Sequence, residues 1–204
     1  MKKVCENWPQ VLPETLCGPQ FFDEFSQRAG AAAAEVFRVQ TFKEAGSLVE
    51  KLAQTANARK VVMTKNAYGS AVNLENLFQT LQIETYTLPA DIRQQAETAD
   101  LGISAGEFGI AETGSVCQDA YAIEDRLVST LPPVHIIFLN SNLIVPSVEK
   151  AVDVFSGVFT RGYLSLITGP SRTADIERVL TIGVHGPSRL VIIAVDEPLS
   201  GGAA

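Results

Sequence analysis

Three short segments of the 204-residue chain carry residue types that could do chemistry. The first is Ile167-Thr168-Gly169-Pro170-Ser171-Arg172-Thr173-Ala174-Asp175-Ile176-Glu177, where an apolar run passes through a Gly-Pro turn. The spacing predicts a strand leading into a helix start. Free amides there, the Gly169 backbone, the hydroxyls of Ser171 and Thr173 and the Arg172 guanidinium would bind a carboxylate or phosphate. The same residues also read as an ordinary helix cap, in which Asp175 and Glu177 complement the helix dipole and neutralise Arg172. The second segment is Gly183-Val184-His185-Gly186-Pro187. Histidine titrates nearest neutrality, and Gly183 and Gly186 leave room for a ligand around the ring; a solvated turn histidine is the plain alternative. The third is Ala111-Glu112-Thr113-Gly114-Ser115, a carboxylate at a strand end beside a tight turn. A base or nucleophile is held in that way, and so is a turn residue facing water. His135 opens an apolar strand after Pro132-Pro133, where a satisfied core histidine is the ordinary outcome. Its functional reading, shared with Thr113 and Ser115, is support from beside the site.

The elements that must position these residues alternate between short apolar runs and helical patterns, the mark of βα units and of an α/β fold. Phe21, Phe22 and Phe25 stand at helical spacing, and Glu35 to Val39 reads as an entry strand. Thr41-Phe42-Lys43-Glu44 is a capping box before a helix whose inner face is Ala45, Leu48, Val49 and Leu52. Val61 to Thr64 reads as a buried parallel strand, Asn73 to Leu81 as a helix, Ile83 to Leu88 as a strand and Ala90 to Ala99 as a polar helix. Eleven of the fifteen glycines lie beyond position 100, so the tight loops are expected in the second half. There Leu101 to Ser104 forms a strand and Gly109 to Gln118 a hairpin turning at Thr113-Gly114. Further strands are Val134 to Leu139, Tyr163 to Thr168 and Leu190 to Val195, with a helix from Ser147 to about Phe155. The organisation expected is residues 1–40 as an N-terminal helix and entry strand packed on a single α/β domain at 41–198, with a flexible tail at 199–204.

Composition excludes more than it assigns. A net charge of −7 repels polyanions, so nucleic acid is not an expected partner. The start has two lysines but no apolar stretch behind them, and no segment has the length of a membrane span, so a cytoplasmic protein is expected. Cys5, Cys17 and Cys117 contain no Cys-x-x-Cys pair, which points to free thiols rather than to zinc or an iron–sulfur cluster within the chain. Gly102, Gly106 and Gly109 match neither the dinucleotide nor the P-loop fingerprint.

Together these segments resemble the lactate utilization protein C family, built on the lactate-utilization domain. The resemblance is carried by Ala99-Asp100-Leu101-Gly102-Ile103-Ser104, Phe108 to Ser115, Leu131-Pro132-Pro133-Val134-His135-Ile136, Thr168 to Glu177 and Gly183 to Pro187. It implies a fold similar to the glucosamine-phosphate deaminase, ribose-phosphate isomerase and CoA-transferase group: a three-layer, open, mainly parallel sheet with helices on both faces and, here, one hairpin in the second half. It also implies a subunit of a bacterial system oxidising L-lactate to pyruvate, with no cofactor of its own and iron–sulfur clusters on partner subunits. Under that reading Glu112 and His185 are the catalytic candidates, and Gly169, Ser171, Arg172, Thr173, Asp175 and Gly186 hold a small-molecule anion. His135, Thr113 and Ser115 support them. The alternatives are a non-catalytic assembly or metabolite-sensing module for the iron–sulfur partners, and an acyl-CoA- or ATP-dependent enzyme like the fold relatives, with Glu112 as nucleophile in the CoA version. The related transferases follow their glutamate with Asn-Gly, whereas this chain has Thr113-Gly114. Self-association is left open.

Overall fold

The computed structural model describes residues 3–174, 180–182 and 186–199. Its strands are β1 Glu35–Val39, β2 Lys60–Met63, β3 Glu84–Tyr86, β4 Leu101–Ala105, β5 Phe108–Ile110, β6 Ser115–Asp119, β7 Val134–Asn140, β8 Ile144–Val145, β9 Leu164–Ile167, β10 Arg172–Ala174, β11 Leu180–Ile182 and β12 Arg189–Val195. The α-helices are α1 Trp8–Val11, α2 Phe22–Ala31, α3 Phe42–Thr55, α4 Ala67–Val72, α5 Leu74–Thr80, α6 Pro89–Gln95, α7 Ile123–Thr130 and α8 Val148–Val158.

Six strands form one sheet in the order β1-β12-β7-β4-β2-β3, every neighbouring pair parallel. Successive residues of a strand face opposite sides, and a sheet covered on both sides needs apolar residues at nearly every position. The run Val134–Asn140 follows that rule. Ile136 and Phe138 enter the cluster beneath α3, α4 and α5, while Ile137 and Leu139 enter the one shared with α2. Farther along that second face, Val62 packs against Ile92, Ala96 and Val128 of the α6–α7 region. The expected α/β architecture with a mainly parallel sheet and helices around it is therefore what folds.

Local signals account for the helix starts. The Thr41 hydroxyl accepts the Glu44 amide at 3.2 Å, and the Glu44 carboxylate reaches back to the Gln40 amide at 2.8 Å, closing a capping box one residue wider than usual. Asn66 and Ser147 cap α4 and α8 through their side-chain oxygens. No helix among the described residues is long and apolar enough to cross a membrane.

Two features depart from expectation. The hairpin β5–β6, with its turn at residues 111–114, belongs to a separate four-stranded sheet ordered β8-β5-β6-β9. One face of this small sheet packs through Val116 and Ile144 on the α2 side, and the other through Phe108, Ile110, Cys117 and Val145 on Trp8, Leu12, Ala151 and Val154. In addition, Arg172–Ala174 does not begin a helix. It is strand β10, paired antiparallel with β11 in a second hairpin. Ser, Arg and Thr carry enough extended propensity for strand pairing to override a capping pattern.

Candidate functional site

The expected anion pocket comes together in part. Gly169, Ser171, Gly186 and His135 line one cleft of about 330 Å3, with Ser129 and Thr168 beside them. Gly169 sits at φ +69°, and a β-carbon there would lie 2.1 Å from the Ala32 carbonyl oxygen, so its first role is to let this turn close on the end of α2. Arg172 serves the same junction, since its Nη2 donates to the Ala32 carbonyl at 2.7 Å. With β10 in place of a helix start and that guanidinium turned to Ala32, the cleft lacks the cationic lining expected of it among the described residues. Thr173 lies in β10. His185 and Asp175 lie outside the described residues.

His135 is fully buried, and its Nε2 is 2.8 Å from the Ser104 hydroxyl. Burial pushes the imidazole down to about 3, so it is neutral at physiological pH, and its Nδ1 has no hydrogen-bond partner. Glu112 is exposed and lines neither this cleft nor the one described next. Its Oε2 accepts the Val148 amide at 2.9 Å, completing the N-terminus of α8. The Ser115 hydroxyl donates to Thr113 Oγ1 at 2.7 Å and lies 2.5 Å from Thr168 Oγ1, tying the hairpin turn to the end of β9.

A second cleft, also of about 330 Å3, carries most of the perturbed carboxyl chemistry. It lies outside the carboxyl ends of β2, β3 and β4, where Thr64-Lys65-Asn66, Thr87 and Glu107 follow their strands. After β2 the chain turns to α4 and α5 on one face of the sheet, and after β3 to α6 on the other. Connections diverging from neighbouring strands open a crevice at which α/β proteins bind ligands. Glu107, Gln118, Asp119, Glu124 and Asp125 line it together with Lys3 and Lys65.

The carboxyls here are unequal. Burial, with Asp119 and Asp125 adding to it, pushes Glu107 up to about 7 against the opposing pull of Lys3. Burial likewise raises Asp125, opposed by hydrogen bonds from the Thr64 side chain and the Ala122 backbone. Glu124 is paired with Arg93 Nε at 2.5 Å. Asp119 Oδ2 accepts the amides of Val4 at 2.8 Å and Cys5 at 3.2 Å, whereas its Oδ1 and the Oε1 of Gln118 are buried without a partner. Buried acceptors left open cost about 1–3 kcal/mol each unless something donates to them. Among the described residues, no group of three or more His, Cys, Asp or Glu is arranged to hold a metal ion. Cys117 lies close by, but burial and the neighbouring Glu107 and Asp119 push its thiol far up and keep it unreactive.

The sequence did carry a signal for this cleft. Glu107 follows the carboxyl end of a mostly apolar strand, and Gln118 and Asp119 follow the apolar pair Val116-Cys117. A charge placed there has to be met by something.

A family model, the LUD domain, matches residues 22–195. The chain belongs to the LUD domain family. Its relatives include the lactate utilization protein C of Halalkalibacterium halodurans, 29% identical over 156 residues that cover 73% of this chain and 68% of that protein. They also include the lactate utilization protein C of Bacillus subtilis, 37% identical over 109 residues, covering 51% of this chain and 45% of that protein. The resemblance read from the motifs is thus borne out. Among solved structures, a DUF162 family protein from Deinococcus radiodurans matches with a TM-score of 0.59 at 23% identity, over 86% of this chain and 96% of that one. At that identity the likeness speaks for the fold. The LUD domain match begins at residue 22, so Lys3 and the segment carrying it lie outside the family-defining region of this LUD protein.

Proposed function

We propose that this LUD protein serves lactate utilization as the cluster-free subunit of a system oxidising L-lactate to pyruvate, and that it holds a small carboxylate in the crevice beyond β2, β3 and β4. The observation that carries the reading is that crevice, lined by Lys3, Lys65 and the half-buried Glu107, whose carboxyl is pushed up to about 7. The family membership and the names of the relatives supply the pathway. Oxidising a 2-hydroxy acid to the 2-oxo acid removes two protons, one from the hydroxyl and one from the carbon that bears it, together with two electrons. Glu107 is poised to take the hydroxyl proton, because a base works best when its pKa lies near the working pH. The electrons pass to an acceptor on a partner. Iron–sulfur clusters fit that partner better than this chain, whose three free cysteines include two that are buried, short of the four thiolates a cluster usually takes. The volume of the crevice exceeds what a molecule as small as lactate fills, leaving space for an acceptor group to enter.

Removing the gene from its host and restoring it as wild type or Glu107→Gln tests this reading. Growth on L-lactate as sole carbon source is expected to fail, to return with wild type and to return poorly with Glu107→Gln. Undiminished growth of the deletion strain would discard the proposal. The exposed Phe159, Tyr163 and Leu166 favour a second reading, an assembly module for the iron–sulfur partners. That module would co-purify with those partners while binding no lactate.

A further inference from the structure

Strand β9 is an open edge of the small sheet, and nothing in its sequence protects that edge. It pairs with β6 alone, in unbroken register from Val116 opposite Ile167 to Asp119 opposite Leu164. Alternate amides and carbonyls therefore point outward, and among the described residues no backbone group meets them. An edge of this kind pairs with another chain unless charge, proline, a bulge or shortness blunts it. The other open edges of the two larger sheets are blunted: β1 carries Glu35 and Arg38, β3 has three residues including Glu84, and β8 has two followed by Pro146. From Tyr163 to Thr168 there is neither charge nor proline.

The surroundings of this edge are apolar. Leu166 in the strand, Tyr163 before it, Phe159 at the end of α8 and Leu131 at the end of α7 are four of the seven large hydrophobic side chains exposed among the described residues, and such a gathering marks a contact surface. Arg126 of α7 lies over the Tyr163 ring at 4.8 Å and joins the α7 side of the patch to the start of β9. Ser165 to Thr168 line one wall of the cleft whose other wall includes Ser129 and Thr130, so the strand borders open space. Residues 154–174 contain no acid, although the chain carries 23 in 204. On a molecule of net charge −7, two copies can bring this stretch together without opposing carboxylates.

We infer that β9 pairs antiparallel with β9 of a second copy across a twofold axis, joining the two small sheets into one of eight strands and covering Phe159, Tyr163 and Leu166. The axis stands perpendicular to the sheet and keeps every residue on the same face as its image. Leu164 and Leu166 share the face packed on Trp8, so they stand beside the same two residues of the second copy. Half-exposed side chains of this size and six residues of strand edge bury on the order of 600 Å2 per copy, the lower end of a specific interface, and the pair should dissociate in the micromolar range. The inference goes beyond the lactate reading and leaves it untouched. β9 lies toward the amino ends of β7 and β12, near His135 and Leu190, whereas the crevice lies beyond the carboxyl ends of β2, β3 and β4. It gives to a second copy the face that the assembly-module reading gives to iron–sulfur partners.

Sedimentation equilibrium of the full chain from about 1 to about 200 µM tests the pairing, and a monomer–dimer equilibrium is expected. Leu166→Lys puts a charge on the edge without entering the core and should weaken the dimer at least about tenfold; should it fail to fold, Phe159→Lys makes the same test. Leu88→Lys, at a similarly exposed leucine before α6, should leave the dimer unchanged. A synthetic peptide of residues 162–169 should dissociate the pair. The β9 amides should exchange more slowly at the higher protein concentration while those of α3 do not change. A chain still monomeric at about 200 µM, a dimer indifferent to charge at Leu166 and Phe159, or β9 amides indifferent to concentration would overturn the inference. So would a monomer whose β9 is protected only in complex with iron–sulfur proteins, which would return the face to the assembly module.

Discussion

Two titratable residues, the half-buried Glu107 and the fully buried His135, give this protein opposite responses to pH. Glu107 ordinarily titrates at 4.5 and is pushed up to about 7 in the fold, so between those values the native state keeps a proton that the unfolded chain has released. Stability therefore falls as pH rises through that window and is level above it. Glu107→Gln should remove the slope and gain up to about 3 kcal/mol above pH 7, with almost no gain near pH 4.5. His135 ordinarily titrates at 6.5 and is pushed down to about 3, so here the unfolded chain takes the proton first. Its stabilisation is full above 6.5 and declines toward pH 3 at up to about 1.4 kcal/mol per pH unit. His135→Asn should flatten that acid limb. Urea unfolding of both variants across pH 4–8 checks the pair, and a Glu107→Gln gain of equal size at every pH would contradict the burial argument. The site was poorly legible at this scale. Types and spacing pointed to Arg172 and Glu112, yet the first donates to the Ala32 carbonyl and the second caps α8. Polar side chains near a strand or helix end serve structure and chemistry by the same bonds, and only their partners tell which.

Elements written by local rules were legible. Thr41 and Glu44 announce α3, and the buried positions Ala45, Val49 and Leu52 follow from its helical period. Strands β1, β4, β7 and β12 stand within one or two residues of their expected bounds, because runs of β-branched and apolar residues between turns have few other uses. Helix α7 was not anticipated, because Ile123–Thr130 is mostly polar and owes its place to β4 rather than to its own pattern. Gly102 makes that contact feasible, since a β-carbon on it would lie 2.1 Å from the Val128 carbonyl oxygen. Gly102→Ala should accordingly cost about 1–3 kcal/mol or more, as overpacking against a backbone does. Gly30→Ala is the matched control: nothing lies within 4 Å of its β-carbon inside α2, and a gain of up to about 1 kcal/mol in helix propensity is expected. Thermal melts of the two variants should move in opposite directions, and equal shifts would remove close packing as the explanation.

Across the whole molecule, the parallel sheet forms the stable body to which the small sheet and the N-terminal segment 3–12 are attached. Strands β4, β7 and β12 are buried on both faces and paired on both edges, so their amides should exchange with solvent last, near the global unfolding limit. The amides of Val4 and Cys5, held by one carboxylate, should exchange earlier, and faster still in Asp119→Asn. Equal protection of segment 3–12 and the central strands would mean that this segment belongs to the same cooperative unit. The sequence by itself determined the α/β class, the positions of most strands, the capped helices and the family, because each is recorded in residues close together along the chain. Only the tertiary structure decided where the chemistry gathers. Lys3, Lys65, Glu107 and Asp119 share a crevice although the Val4 amide and the Asp119 carboxylate that join its two sides are 115 positions apart. The burial that raises Glu107 and the missing partners of Gln118 and Asp119 arise from packing among distant segments, and a local pattern holds no record of them.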